Sequence, residues 1–248
     1  MAPIEPRRDR IRHDDCEIEY DIVHRRAVTR RIHLQLGPDG QLQVVAPRRM
    51  SARQVRKTLE RRSGRVARFL DEARARRRDL PVLRYISGEL HGYLGKRYPL
   101  DIRGRDGRRD RVELADGRLL VRVAEERPER VRALLRGWYR ERAVAYFDDR
   151  LSALCERAPW CGDDMPELRV RRMKRTWGNC STRGRITLNT ALIKAPPELI
   201  DYVICHEICH LREHNHGPAF YALQETICPR WREMRQELRA SGHILLHD

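Results

Sequence analysis

Residues 206 to 216 read His-Glu-Ile-Cys-His-Leu-Arg-Glu-His-Asn-His, which places two histidines four apart with a glutamate beside the first. At about 100° of rotation per residue, His206 and His210 fall within roughly 40° of each other on a helix and present two imidazoles to one ion. A tetrahedral catalytic zinc needs three protein ligands and one open position, and a neighbouring carboxylate such as Glu207 can take the proton of an attacking water. His206, His210 and a third histidine are therefore metal-ligand candidates, with Glu207 as general base.

Four letters with two free positions also recur by chance in surface helices. Here Leu199, Ile200, Val203, Ile204, Ile208 and Leu211 make the helix apolar on most sides, and a buried helix does not carry histidine, glutamate and histidine without partners. For the third ligand, helical spacing alone favours His214. Gly217-Pro218 turns the chain just after His216, which lets that histidine fold back towards the ion. His216 is preferred on that ground, with His214 as the alternative and Glu213 and Glu225 as weaker ones.

His206-Glu207-x-x-His210 with His216, Phe220 four residues on, and the upstream run Trp177-Gly178-Asn179-Cys180-Ser181 together resemble the YgjP-like metallopeptidase family. The resemblance extends over most of the chain and implies a minimal zincin acting on peptide bonds with one Zn2+ per chain. Asn179 departs from that family's usual serine. The tract His216-Gly217-Pro218-Ala219-Phe220 is also locally similar to SprT-like and Spartan-type proteases. The resemblance places Cys180 near the site.

The elements that must position these residues are partly legible. Residues 16 to 24, 27 to 36 and 41 to 46 alternate like strands, with Gly37 to Gly40 as a hairpin turn. Arg53 to Arg78 reads as one helix opened by Ser51 and Gln54 as a capping box. It carries eleven basic and three acidic residues, with Val55, Leu59, Val66 and Leu70 on its apolar side. Two or more short strands follow between Ile86 and Val123, punctuated by Gly104, Gly107 and Asp116-Gly117. Helical spacing marks a long amphipathic helix from Glu129 to about Arg157. Leu168 and Val170, then Ile186 and Leu188, suggest strands flanking a turn from Lys174 to Gly184. Pro197 starts the histidine-bearing helix, and helices near 218 to 227 and 229 to 241 back it, with Gly242 as a terminal cap. The expected fold is α+β, with a strand-rich basic region over 1–128 and a zincin-like domain over 129–248.

The 248 residues, 40% hydrophobic and 35% charged, suit one large domain or two small ones. No apolar stretch approaches the roughly 20 residues of a membrane span, and Met1 to Arg12 is polar, so the expectation is a cytoplasmic protein without membrane attachment. Seven cysteines, an odd number, point to reduced thiols rather than a disulfide framework. Cys205 and Cys209 read as packing residues, because thiolates would compete with the histidines for metal.

The formal charge of +16 is unevenly spread, with 32 basic against 20 acidic residues up to 128 and 20 against 16 beyond. Only four of the 52 basic residues are lysine, so part of that charge reflects arginine-rich composition. Weak, salt-sensitive, non-specific nucleic-acid binding through the amino-terminal region remains open, whereas 6% aromatic content and no base-stacking motif argue against sequence-specific reading.

Three functions follow. The first is a zinc metallopeptidase acting on peptides or unfolded proteins, with Arg175, Asn179 and Tyr221 as oxyanion candidates. The second is a metal-dependent hydrolase of a nucleotide or other phosphorylated substrate, for which no phosphate loop is present. The third is a nucleic-acid-associated protein with structural zinc, which the lack of any C-x-x-C disfavours.

Overall fold

The computed structural model describes residues 7–14, 16–25, 31–37, 41–78, 83–105, 107, 109–162, 165–174 and 176–245. They form two compact units, Met1–Leu80 and Pro81–Asp248. The α+β class holds, with strands and helices in both units.

The first unit is a four-stranded sheet with two helices. Its strands are β1 (Arg7–His13), β2 (Cys16–Arg25), β3 (His33–Leu36) and β4 (Leu42–Pro47), in the order β1-β2-β4-β3. β2 alternates, sending Ile18, Tyr20 and Ile22 into the core and Glu17 and Glu19 outward. β3 and β4 pair antiparallel as the expected hairpin; its turn residues 38–40 and the expected strand residues 27–30 lie outside the described residues. The basic helix is two helices, α1 (Ala52–Glu60) and α2 (Ser63–Arg78), broken at Arg61-Arg62. Helical periodicity on both sides conceals the break, because Val55, Leu59 and Val66 all reach one core. The capping box is present, with the Gln54 amide nitrogen donating to the Ser51 hydroxyl and the Ser51 amide nitrogen donating to Gln54 Oε1 at 2.8 Å.

In the second unit, β5 (Leu90–Tyr93), β6 (Lys96–Gly104), β7 (Arg111–Ala115) and β8 (Arg118–Val123) form a sheet ordered β5-β6-β8-β7. Both hairpins turn through paired positive φ values, Leu94-Gly95 and Asp116-Gly117, as tight two-residue turns require. α3 (Pro128–Cys155) runs 28 residues beside a second sheet of β9 (Leu168–Arg171), β10 (Gly178–Cys180) and β11 (Ile186–Asn189), ordered β10-β11-β9. α4 (Pro197–Cys209), α5 (Pro218–Ile227) and α6 (Trp231–Leu245) complete the chain. Leu100, Leu119, Val121 and Val123 share one core with α3, β11 and α4. Gly242 sits inside α6 rather than capping it. A β-carbon there would lie 3.1 Å from the Trp177 ring, so the glycine admits a side chain instead of ending a helix. No described helix is long and apolar enough to cross a membrane.

Candidate metal centre

α4 is held on nearly every side. Leu199, Ile200, Val203, Ile204 and Ile208 are buried in the core, and Asp201 accepts a two-armed pair from Arg150 of α3, with both N···O distances 2.8 Å. Such a planar fork resists rotation of the helix about its axis. The indole nitrogen of Trp160 donates to the carbonyl of Ile208 at 3.2 Å, satisfying an acceptor that the end of a helix leaves open.

α4 ends at Cys209, and His210 occupies its C-cap position in right-handed helical geometry. The chain then bends, which removes His214 from the helical series; it is exposed and does not belong to the histidine cluster. Gly217 and Pro218 open α5, and the bend before them carries His216 back over α4. His206, His210 and His216 each offer a nitrogen, all within 4.8 Å of one another, and the Nε2 atoms of His206 and His216 are 3.0 Å apart. Nitrogens bound at about 2.0–2.1 Å to one tetrahedral ion lie roughly 3.3 Å apart, so the cluster fits a divalent cation.

The outward nitrogens matter as much. His210 Nδ1 lies 2.9 Å from the carbonyl of Glu213, which fixes that nitrogen as the donor and frees Nε2 as a ligand atom. His206 Nδ1 is buried without a hydrogen-bond partner, as are both polar atoms of Gln224. Burial, then the neighbouring histidine charges, lower the His206 pKa to about 4, while Gln224 beside it opposes the fall. The two side chains are close enough to interact but not at hydrogen-bonding geometry. Burial also lowers the His216 pKa. Neutral imidazoles are what a metal requires. Phe220 packs against all three rings, with centroids 4.9, 4.7 and 4.7 Å from His206, His210 and His216.

Glu207 is 4% exposed, its Oε2 has no partner, and burial raises its pKa to about 8. Room for the carboxylate comes from Gly178 on β10, where a β-carbon would stand 2.6 Å from Oε1 and 2.9 Å from Cδ and Cγ. The strand-bearing loop is held in turn by the buried Asn189 amide, which donates to the carbonyls of Met173 and Thr176 at 2.8 and 2.9 Å.

The remaining candidates separate by contact. Glu225 accepts from Trp231 and Arg232, Glu213 contributes its carbonyl, and Tyr221 stacks on Trp231 with its ring 6.4 Å from His216. Asn179 is exposed, and Arg175 lies outside the described residues. Cys205 and Cys209 are buried and absent from the cluster. Burial raises the Cys209 thiol to about 12 and, with the charge of Glu207, the Cys180 thiol to about 11. Sequence reasoning missed Gln224, Trp160 and the space above Gly178. Of these only Gln224 left a trace, as an amide on the face of α5 that also carries Phe220 and Ile227.

No curated protein matches the chain. Among solved structures it is similar to the metallopeptidase zymogen of Pyrococcus abyssi abylysin, with 23% identity, TM-score 0.36, and coverage of 38% of this chain and 93% of that one. It is similar also to the metallopeptidase zymogen of Methanocaldococcus jannaschii jannalysin, with 18% identity, TM-score 0.35, and coverage of 39% and 96%. The model of the YgjP-like metallopeptidase domain matches residues 30–241, and the chain therefore belongs to the YgjP-like metallopeptidase family.

Proposed function

We propose that the chain is a zinc-dependent peptidase in which His206, His210 and His216 hold the ion and Glu207 is the general base. The observation that carries this reading is the convergence of three imidazole nitrogens within 4.8 Å next to a buried carboxylate oxygen without a partner. Zinc is favoured among divalent ions by an all-imidazole donor set of three. The chemistry supplied there by zinc is polarisation of a peptide carbonyl and acidification of water towards neutral pH.

The protein's own part is proton traffic and the orientation of the imidazoles. Glu207 takes the proton of the attacking water at Oε2 and returns it to the leaving amine. A carboxylate stripped of hydrogen-bond donors is a stronger base than one in water, which suits the first transfer, and its protonated form is tolerated, which suits the second. Phe220 packs its ring against all three imidazoles, and the Glu213 carbonyl keeps His210 in one tautomer. The substrate class is peptides or unfolded protein segments.

The test compares wild type with Glu207→Gln on a mixed pool of unfolded peptides, reading new termini by mass spectrometry and bound metal by elemental analysis. The variant is expected to lose about 1,000-fold in turnover with its metal content unchanged. Equal cleavage by the variant, or undiminished cleavage by chelated protein, would overturn the reading.

A further inference from the structure

In the same unit as the metal centre, a cavity of about 320 Å³ opens between α3 and the end of β9. Its wall carries five cations, Arg136 and Arg140 of α3, Arg171 and Arg172 at the end of β9, and Lys194, and no acidic side chain among the described residues lines it. Lys194 is 8% exposed, with its ammonium 4.9 Å from the centroid of Tyr139. Val170, Met173 and Ala191 add an apolar floor. A concave wall lined by cationic side chains raises the local concentration of anions. Arginine forks are suited to grip a carboxylate in two-armed fashion.

This cavity is linked to Glu207 by a short run of contacts. Gly178 borders the Glu207 carboxylate, Asn179 follows it on β10, and the Asn179 amide lies 3.7 Å from the sulfur of Met173, which lines the cavity.

We infer that this cavity is a recognition subsite for an acidic residue of the substrate, a carboxylate-bearing side chain away from the bond that is cut. The inference rests on the peptidase reading for its placement along a substrate. A free phosphate shares the anionic chemistry but makes no use of the apolar floor.

Binding rather than turnover tests it. Two labelled unfolded peptides, one bearing a Glu-Glu pair and one bearing Gln-Gln in its place, are titrated by fluorescence anisotropy against full-length, zinc-loaded Glu207→Gln protein. The acidic peptide is expected to bind about tenfold tighter, and the preference to shrink as salt rises. Arg171→Glu with Arg172→Glu should abolish the preference and leave the affinity for the neutral peptide within about twofold, whereas lysine at both positions should retain part of it. Equal affinities in the parent protein, or a preference that survives the charge reversal, would overturn the subsite. Inorganic pyrophosphate that binds the parent but is not displaced by the acidic peptide would overturn it in favour of a phosphate ligand. A preserved preference together with no turnover by wild type would support the subsite while removing the peptidase reading.

Discussion

Asp9 in the first unit and Glu207 in the second are both carboxylates held largely out of water, and the two are treated in opposite ways. Asp9 of β1 accepts from the Arg10 amide at 2.8 Å, Arg56 Nε at 3.1 Å, Arg56 Nη2 and the Tyr20 hydroxyl at 3.2 Å. Burial pushes its pKa up, yet these donors together outweigh burial and hold it below the usual range. Glu207 of α4 has no such company, and burial alone raises it to about 8. A carboxylate whose lone pairs are all engaged fixes a fold; one left without donors in a buried place is poised for proton transfer.

The contrast is most strongly tested by pH in the metal-free protein. The folded-state pKa of Glu207 is raised, so its protonated form is the one the fold favours. That stability is fully present below the unfolded value near 4.3 and is lost as pH rises through about 8. A shift of this size corresponds to an upper figure of about 5 kcal/mol. Urea unfolding in the presence of a chelator can be followed by tryptophan fluorescence, since Trp138, Trp160, Trp177 and Trp231 all belong to the second unit. Wild type should lose stability relative to Glu207→Gln between pH 5 and 9, with the two nearly equal at pH 4. Parallel curves would show that Glu207 has partners after all.

A smaller effect comes from filling the space that isolates the carboxylate. Gly178→Ala puts a methyl group 2.6 Å from Oε1 and 2.9 Å from Cδ and Cγ, so the side chain of Glu207 must move although the histidines need not. Turnover should fall about 100-fold, near 2.7 kcal/mol, with metal content unchanged. Retained turnover would mean that the position of Glu207 does not limit the reaction.

How far this contrast can be read from the sequence differs between the two units. The three histidines and Glu207 stand out because spacing, an apolar helix and the Gly217-Pro218 turn all agree. The long helix over Pro128–Cys155 and both strands around the Lys174 to Gly184 turn are legible from periodicity for the same reason. β1 is not, because Arg7-Arg8-Asp9-Arg10-Ile11-Arg12-His13 has a single apolar residue. It is an edge strand, and charged side chains are how sheets protect their edges. β10 hides inside the expected turn because Gly-Asn-Cys has no strand signature; it is a strand by virtue of pairing with β11. The unit boundary at Leu80–Pro81 is invisible locally, since strands β5 to β8 join the core of α3 and α4 through contacts distant in sequence. Asp9 likewise gives no sign of its partner, because Arg56 is 47 residues away.

The smallest expected effect tests the other side of the comparison. Asp9→Asn keeps the shape but turns an amide towards donors, so one of the two arms of Arg56 faces N–H instead of oxygen, and the attraction of the charges is lost. Arg56 is half exposed, and water therefore screens much of that attraction, leaving a cost of about 1–2 kcal/mol at neutral pH. The folded pKa of Asp9 is lowered, so its contribution is present above the unfolded value near 3.9 and disappears as pH falls through the folded one. Hydrogen exchange of the β1 and β2 amides should accelerate in the variant at pH 7, and the gap to wild type should close in acid, while peptide turnover stays within about twofold. Equal exchange at pH 7 would mean that burial, not the ring of donors, governs Asp9, and the distinction between a carboxylate that holds a fold and one that moves a proton would need another basis.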